Sequence, residues 1–363
     1  MKKLKIGFVG AGRVTIHHIE LLKKLSNYIK IEAVCDLVTS KSKNILRNNK
    51  ELKIKQFNDY HKMIRDCELD LVSILTPSGM HYEHALDIMK KHKVDLILEK
   101  PPTLRMRNLR KVFKIAKKKK INIFPVFQNR YNKAVQFLKK AIAQKKLGKI
   151  NICSVRVRWC RHQKYYNSAK WRGTFSHDGG ALANQGIHHI DLLRYLNGEV
   201  KEVNTIMKTL GSKIEVEDTG VATLVFKNGS VGNLEITTAA RPEDFEASIS
   251  FIGSKGMAQL GGLAVNNLEI YTPNPKMCRK NSEDFPNAYG YGHLELYKKI
   301  LRFYKNKKLR VMKEIDSLKT LELLNSFYVS SETNRSVVLG NFLQSKNLGR
   351  RNKSISKLYR FKN

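Results

Sequence analysis

Lys100 is the residue of this sequence whose position most favours chemistry. It follows a short apolar run, Val94–Leu98, and Glu99, and two prolines come directly after it. Neither proline can donate to a β-ladder, so we expect a buried strand to end there. In an open parallel sheet, ligands bind outside the carboxyl ends of the strands, where a partly desolvated lysine suits proton transfer. The alternative is a surface lysine in a proline-rich turn.

A glycine-rich turn near the amino terminus has the spacing of a phosphate-binding loop. Gly10 permits a tight turn between a strand and a helix, and Gly12 lets the backbone approach a pyrophosphate. Thr15 replaces the third glycine of the usual pattern, so helix and strand should pack less closely. Asp36 ends the next strand and would accept hydrogen bonds from a ribose diol while repelling a 2′-phosphate. The turn predicts NAD rather than NADP, unless Asp36 only caps a turn.

Two further segments place polar residues beside apolar ones. Thr76–His81 follows the apolar run Leu69–Leu75 and would line the nicotinamide-ribose side, although a Pro-Ser-Gly turn needs no function. Asn184, His188 and Asp191 are spaced four and then three apart, so on a helix they share one face. Buried polar groups are costly unless hydrogen-bonded or used, and a neutral histidine can act as a general base. The alternative is a core histidine bonded to Asp191.

The pattern of strands and helices predicts where these residues stand. Up to residue 127, short apolar runs alternate with helix-period segments, which indicates parallel strands joined by crossover helices. Strand-like runs then dominate from 150 to 271, with a hairpin signal at Asn228-Gly229. We predict an N-terminal Rossmann doubly wound α/β domain over 1–130, and an α+β substrate-binding and oligomerisation domain with a large, mostly antiparallel sheet over 131–340. A basic tail follows over 341–363.

Composition excludes some classes of function. The 363 residues include 68 Lys and Arg against 31 Asp and Glu, a net charge of +37. The lysines are spread along the chain without a nucleic-acid-binding signature, so solvated helix faces explain them better than nucleic acid does. No apolar run is long enough to span a membrane. The five cysteines form no Cys-x-x-Cys pair, which favours a reducing cytoplasm and argues against a metal site.

Four of these features, taken in order, resemble the Gfo/Idh/MocA family, the glucose-fructose oxidoreductase and inositol dehydrogenase type. They are Gly10-Ala11-Gly12-Arg13, Asp36, Glu99-Lys100-Pro101 and Gly186-Ile187-His188-x-x-Asp191, and the resemblance extends to about residue 340. The resemblance implies that Lys100 and His188 carry catalysis. Many members have an aspartate four residues before that histidine, whereas this sequence has Asn184, which cannot relay a proton.

Asn184 is also similar to the branch that oxidises C3 of UDP-linked N-acetylhexosaminuronates for lipopolysaccharide sugars. Segments 241–246, 253–256 and 261–266 resemble members that act on cell-surface sugars. We expect the cofactor to contact Gly10, Gly12, Arg13, Val14, Asp36, Thr76, Pro77, His81, Glu99, Lys100 and Gln128. We expect the substrate to contact Arg130, Tyr131, Trp171, Arg172, Asn184, His188 and Asp191.

The sequence therefore predicts an NAD-dependent sugar dehydrogenase that acts on a CH–OH group. We expect its substrate to be a nucleotide-linked sugar, a UDP-N-acetyl sugar or uronate. His188 would remove the hydroxyl proton, with Asn184 beside it, and Lys100 would stabilise the alkoxide. We expect a homo-oligomer, a dimer or tetramer. Two alternatives remain open at this point: a free polyol, inositol or sugar dehydrogenase, and a catalytically silent NAD-binding regulator.

Overall fold

The computed structural model describes residues 2–340 and 342–361, which form two compact units. The first unit contains Met1–Val126, His293–Ser317 and Arg351–Asn363, and the second contains Phe127–Gly292 and Leu318–Arg350. The chain thus leaves the first unit twice, after Val126 and after Ser317, and returns to it twice. Residues 351–361 of the predicted basic tail belong to the first unit.

The first unit is built on a parallel sheet between helices. Its strands are β1 Leu4–Val9, β2 Ile29–Cys35, β3 Lys55–Phe57, β4 Leu71–Ile74, β5 Asp95–Leu98 and β6 Ile123–Pro125. They alternate with α1 Arg13–Lys23, α2 Thr39–Arg47, α3 Tyr60–Cys67, α4 His81–Lys91 and α5 Met106–Lys119. The strands pair in parallel in the order β3-β2-β1-β4-β5-β6. The predicted doubly wound sheet is confirmed, and its order reverses between β1 and β4, where such sheets bind ligands.

The central strands of this sheet are mostly apolar because helices cover both of its faces. All four residues of β4 are buried, as are the last three of β5. One core cluster joins Val72 and Leu96 of the sheet to Ile88 of α4 and Val112 of α5. This packing holds the carboxyl ends of β1, β4 and β5, and the turns that follow them, in a fixed arrangement.

The second unit contains the larger sheet. Its elements in chain order are α6 Lys133–Ala143, β7 Ile150–Arg158, α7 Gln163–Asn167, α8 Gly180–Asn184, α9 Ile187–Asn197, β8 Val200–Lys208, β9 Thr219–Phe226, β10 Val231–Thr237, β11 Glu246–Gly253, β12 Gly256–Gly261, β13 Asn267–Tyr271 and α10 Met277–Lys280. The chain ends with α11 Gly292–Lys305, α12 Glu314–Thr333, β14 Val337–Val338 and α13 Lys353–Tyr359.

The eight strands follow the order β13-β12-β11-β7-β10-β9-β8-β14. Within the described chain, β7 and β10 pair in parallel and the other neighbours pair antiparallel. The mostly antiparallel sheet is therefore confirmed, and so is the hairpin at Asn228-Gly229, where Gly229 has a φ of +85°. None of the helices in residues 2–340 and 342–361 has the length and apolarity needed for a transmembrane span.

Side chains of the large sheet alternate between a buried and an open face. In β9, Ala222, Leu224 and Phe226 are buried, whereas Val221 and Val225 are exposed. The same alternation runs through β8 and β10. One face of the sheet therefore packs into the core of the second unit, and the other presents apolar side chains outward.

Candidate active site

The turn after β1 contains two glycines whose surroundings differ. Gly10 has a φ of +108°, and a Cβ there would lie 2.8 Å from the carbonyl oxygen of Leu75. Gly12 precedes the first residue of α1, and a Cβ added to it would meet nothing within 4 Å. The buried Thr15 hydroxyl donates to the carbonyl oxygen of Gly10 at 2.7 Å, so the residue that replaces the third glycine braces the turn. The backbone at Gly12 is open, and Arg13 and Val14 begin the helix above it.

Asp36 lies beside this turn at the end of β2. One carboxylate oxygen accepts from the amide of Ala11 at 2.7 Å, and the other accepts from Val38 at 2.8 Å. Each oxygen keeps a second lone pair, and the side chain is only half-buried. Asp36 thus stabilises the turn and can still accept a hydrogen bond from a ribose hydroxyl. Together with the open backbone at Gly12, this fits an adenine dinucleotide.

His81 joins the turn after β4 to the turn after β5. Its Nε2 lies 2.9 Å from the carbonyl oxygen of Thr76, and its Nδ1 lies 2.9 Å from that of Pro101. Burial lowers the pKa of His81 although both carbonyls oppose this. Pro77 leads from Thr76 into a single 3₁₀ turn at Ser78–Met80. The predicted cofactor segment Thr76–His81 is therefore fixed against the loop that carries Lys100.

Glu99, next to Lys100, is the centre of a buried hydrogen-bond cluster. Its Oε1 lies 3.2 Å from Nε2 of His18 and 3.0 Å from Nε2 of His293, and its Oε2 accepts from the Lys100 amide at 3.0 Å. Nδ1 of His18 lies 2.6 Å from the Tyr297 hydroxyl. Burial lowers the pKa of His18 to about 4. Burial also opposes ionisation of Glu99, but the two imidazole N–H groups outweigh it and hold the pKa of Glu99 well below its usual range.

The same cluster contains a donor set that a divalent metal would accept. The ligand atoms of His18, Glu99 and His293 all lie within 4.8 Å of one another. Two histidines and a carboxylate are a common ligand set. Here, however, each imidazole donates to an ionised Glu99, and these hydrogen bonds account for the arrangement without an ion. The cluster anchors the backbone of Lys100, which is itself half-buried at the end of β5.

In the second unit, Asn184 and His188 lie on different helices. Asn184 ends α8, and His188 and Asp191 belong to α9. Between them the amide of Gly186 donates to the carbonyl of Ala181 at 2.8 Å, five residues back, which makes a wider turn than an α-helix. A Cβ at Gly186 would lie 2.3 Å from the Cδ1 of Ile236, so the sheet presses on this turn. The expectation of one helix with a shared polar face is therefore wrong.

His188 is buried and faces Gln128. The Nε2 atoms of the two residues lie 3.1 Å apart. Because an amide nitrogen only donates, Nε2 of His188 is the acceptor in this bond. An imidazole nitrogen in that state can take up a proton. Gln128, predicted as a cofactor contact, is thus placed by the structure against the predicted base.

Asp191 does not bond His188, so the alternative of an Asp191–His188 pair is wrong. Both oxygens of Asp191 accept from Arg130, at 2.6 Å each, and Oδ1 also accepts from Thr320 at 2.6 Å. Arg130 and Asp191 are buried, and the guanidinium lies 4.6 Å from the centroid of the Tyr195 ring. Arg130 was predicted to contact the substrate, but two nitrogens of its guanidinium donate to Asp191. This ion pair fixes the base of α9 beneath His188.

The remaining predicted substrate residues are aromatic or lie against aromatic rings. The Arg172 guanidinium lies 4.5 Å from the Trp171 ring and 4.2 Å from the Tyr165 ring, and it donates to the Tyr165 hydroxyl at 2.5 Å. Trp171 and Arg172 are half-exposed. Tyr131 lies in the 3₁₀ turn that also carries Gln128 and Arg130, and burial raises the pKa of its phenol.

The two halves of the chain match two descriptions of one family. Residues 4–127 match the oxidoreductase family with an NAD-binding Rossmann fold, and residues 135–259 match the GFO/IDH/MocA C-terminal domain. This chain belongs to the Gfo/Idh/MocA family. The resemblance seen in the sequence is thereby confirmed, and the protein is an NAD-dependent oxidoreductase that acts on a sugar CH–OH group.

Over nearly its whole length, this Gfo/Idh/MocA chain is similar to solved structures of dehydrogenases. The WlbA dehydrogenase of Bordetella pertussis, in complex with NADH and UDP-GlcNAcA, is 30% identical, with a TM-score of 0.87, covering 93% of this chain and 98% of its own. The WlbA dehydrogenase of Chromobacterium violaceum, in the same complex, is 31% identical, with a TM-score of 0.85, covering 94% and 97%. The myo-inositol 2-dehydrogenase of Thermotoga maritima is 27% identical over 261 residues, 70% of this chain and 74% of its own.

Several residues that contact the predicted site residues were not identified from the sequence. His18, His293 and Tyr297 surround Glu99, and only His18 carried a local signal, since it lies on the apolar face of α1 with Ile19 and Leu22. Asp178 was also missed. It is buried, accepts from the Asn184 amide nitrogen, and accepts from the Gly173 amide at 2.7 Å. The sequence shows Asp178 next to Gly179-Gly180, but it does not show that Asp178 bonds Asn184.

Proposed function

We propose that this protein uses NAD to oxidise a secondary hydroxyl of a nucleotide-linked sugar, a UDP-N-acetyl sugar or its uronate, in the synthesis of cell-surface polysaccharide. The observation that carries the chemistry is His188, a buried imidazole whose Nε2 is held as an acceptor. The choice of substrate class rests on the near whole-chain likeness to two WlbA dehydrogenases whose structures contain UDP-GlcNAcA.

The first unit supplies the groups that would hold the cofactor. Gly10 permits the tight turn, Gly12 leaves the backbone open for the pyrophosphate, Asp36 accepts from the ribose, and Thr76 lines the neighbouring turn. NAD, when bound, accepts the hydride that leaves the sugar carbon. Asp36 offers no positive charge for a 2′-phosphate, which favours NAD over NADP.

The proton is handled by His188 and Lys100. Nε2 of His188 has one lone pair, which accepts from the Gln128 amide, so the substrate hydroxyl displaces that amide before Nε2 takes its proton. The Lys100 ammonium stabilises the negative charge that develops on the sugar oxygen, an effect of about 3 kcal/mol per donor in other enzymes. Glu99 fixes the Lys100 backbone, and Arg130 with Asp191 fixes α9. Asn184 is held by Asp178 and positions the substrate rather than relaying the proton.

We further propose that the open face of the large sheet supports a homo-oligomer, a dimer or tetramer. Val221, Val225 and Ile206 are exposed there, with Arg158 paired to Glu235 at 2.6 Å beside them. A second copy of the same face would cover these apolar side chains. The cysteines are free thiols, which suits the cytoplasm that we propose for the enzyme.

The deciding experiment measures NADH formation over UDP-N-acetyl sugars, their uronates, free sugars and inositols, with and without an oxo-acid as a second substrate. Turnover on a UDP-linked sugar, abolished in Lys100→Met, supports the proposal. Turnover on free polyols but on no UDP-sugar would select the alternative that the Thermotoga maritima relative favours. NAD binding without turnover on any sugar would make the protein a silent regulator.

A further inference from the structure

The C-terminal segment, residues 353–361, packs against the amino-terminal part of α4. Arg360 binds Glu83 at 2.9 Å, and Phe361 lies edge-on to the rings of His84 and Tyr60, with centroids 5.6 and 4.8 Å apart. α13 also packs against the 3₁₀ turn Ser78–Met80. The segment therefore contacts the two elements that follow Thr76.

His84 connects this segment to Thr76 through both nitrogens of one ring. Its Nε2 lies 3.1 Å from the carbonyl oxygen of Tyr359, and its Nδ1 lies 3.0 Å from the Thr76 hydroxyl. Because a carbonyl only accepts, Nε2 carries the proton and Nδ1 accepts from Thr76. Burial lowers the pKa of His84 to about 4, so the neutral ring with this single tautomer persists at neutral pH.

We propose that His84 is a positioning residue through which the docked segment 353–361 orients Thr76 for NAD binding. The inference rests on the proposed placement of NAD beside Thr76. His84 has no contact with the reacting atoms in this scheme. Its role is to fix the side chain of a residue that meets the cofactor, while His81 fixes the backbone carbonyl of the same residue.

The two histidines make the Thr76 turn depend on separate parts of the chain. The ring of His81 lies between the Thr76 carbonyl and that of Pro101 in the loop after β5, and when neutral it donates to one of the two, whereas His84 joins the Thr76 hydroxyl to the carbonyl of Tyr359. Without the segment, His84 loses the acceptor that fixes its tautomer and the Phe361 ring that packs against it. The Thr76 hydroxyl then becomes free to rotate, and NAD would have to restore its order on binding.

The test measures NAD affinity directly, by calorimetry, in the full chain and in a chain that ends at Arg351. Loss of one net hydrogen bond corresponds to a change of about three- to ten-fold, so we expect the truncated chain and His84→Ala each to bind NAD that much more weakly. Combined, the two changes should cost little more than one alone. A synthetic peptide of residues 352–363 should restore affinity to the truncated chain but not to truncated His84→Ala.

Substitutions in the full chain keep the test valid if the truncated chain does not fold. His84→Asn can still accept from Thr76, and His84→Gln can still donate to Tyr359, so each keeps one of the two bonds. Both should weaken NAD binding, with KM for NAD raised and kcat little changed. Lys357→Ala, which removes an exposed side chain of α13, is the matched control and should change affinity less than about two-fold.

Two results would overturn the inference. One is an unchanged NAD affinity in both the truncated chain and His84→Ala, even if both unfold at lower temperature. The other is full additivity of the two changes. Since calorimetry needs no sugar, an inactive protein in the substrate screen would count against the proposed function and leave this test intact.

Discussion

The free energy of unfolding should fall at acidic pH because of one buried histidine, His189. It lies on α9 with 1% of its surface exposed, and its ring meets the edge of the Trp159 ring at 5.9 Å. Neither ring nitrogen has a hydrogen-bond partner within the described part of the chain. Burial lowers the pKa of His189 from its ordinary 6.5 to about 4. The folded protein therefore keeps this ring neutral at a pH where the unfolded chain protonates it.

The direction in which pH changes the free energy of unfolding follows from proton linkage. Between pH 6.5 and 4 the unfolded chain binds more protons at this position than the folded chain, so the free energy of unfolding falls as the pH falls. With these two pKa values, His189 alone removes about 2 kcal/mol between pH 7 and pH 5. His18 and His84, which are also lowered to about 4, act in the same direction in the first unit.

The assay compares wild type with His189→Phe by urea unfolding at pH 7 and pH 5. Both tryptophans, Trp159 and Trp171, lie in the second unit, so their fluorescence follows that unit. On lowering the pH, wild type should lose about 2 kcal/mol more than the variant. Ile190→Val, which removes a buried methyl group from the same helix and no titratable group, should retain the wild-type pH dependence. An equal loss in wild type and His189→Phe would refute the reasoning.

Three further predictions concern the site. Lys100→Met should lower kcat about 10²-fold or more while calorimetry finds NAD affinity unchanged, and near-normal turnover would exclude the role of Lys100. Asp36→Ala should shift the ratio of kcat/KM for NAD over NADP towards NADP by about ten-fold, the effect of one charge-assisted hydrogen bond; an unchanged ratio would leave Asp36 as a turn cap. Arg130→Met leaves a buried carboxylate uncompensated and should lower the free energy of unfolding by about 3–5 kcal/mol in urea, whereas the double variant with Asp191→Leu should recover part of that loss, and no recovery would contradict the pairing.

The parts of the fold and site that the sequence could predict are those that local chemistry determines. The strand before Lys100 is short, apolar and stopped by two prolines, so both its burial and its end were visible in nine residues. Gly10 and Gly12 likewise lie at a turn that suits glycine. There is no room for a Cβ at Gly10, and at Gly12 the backbone is open to a ligand. Alternation of strands and helices then fixes a parallel sheet, whose carboxyl edge collects these residues.

The parts that the sequence could not predict depend on contacts between distant residues. Glu99 reaches a histidine 81 residues earlier and another 194 residues later, and Asp191 reaches Thr320 across 129 residues. No spacing rule links such positions. Arg130 was therefore predicted to contact the substrate, because its pairing with Asp191 could not be recognised.

Asn184 shows why a substitution read in the sequence alone can mislead. An amide in place of the aspartate of many relatives suggests that a carboxylate is missing from the site. In the structure, the Asn184 amide nitrogen donates to the carboxylate of the buried Asp178. A carboxylate is therefore present next to Asn184, although residue 184 itself is an amide. The wide turn at Gly186 then separates Asn184 from the helix of His188. An amide transfers no proton, so Asn184 cannot take the part of an aspartate in a relay, and the proposed proton acceptor in the second unit is Nε2 of His188.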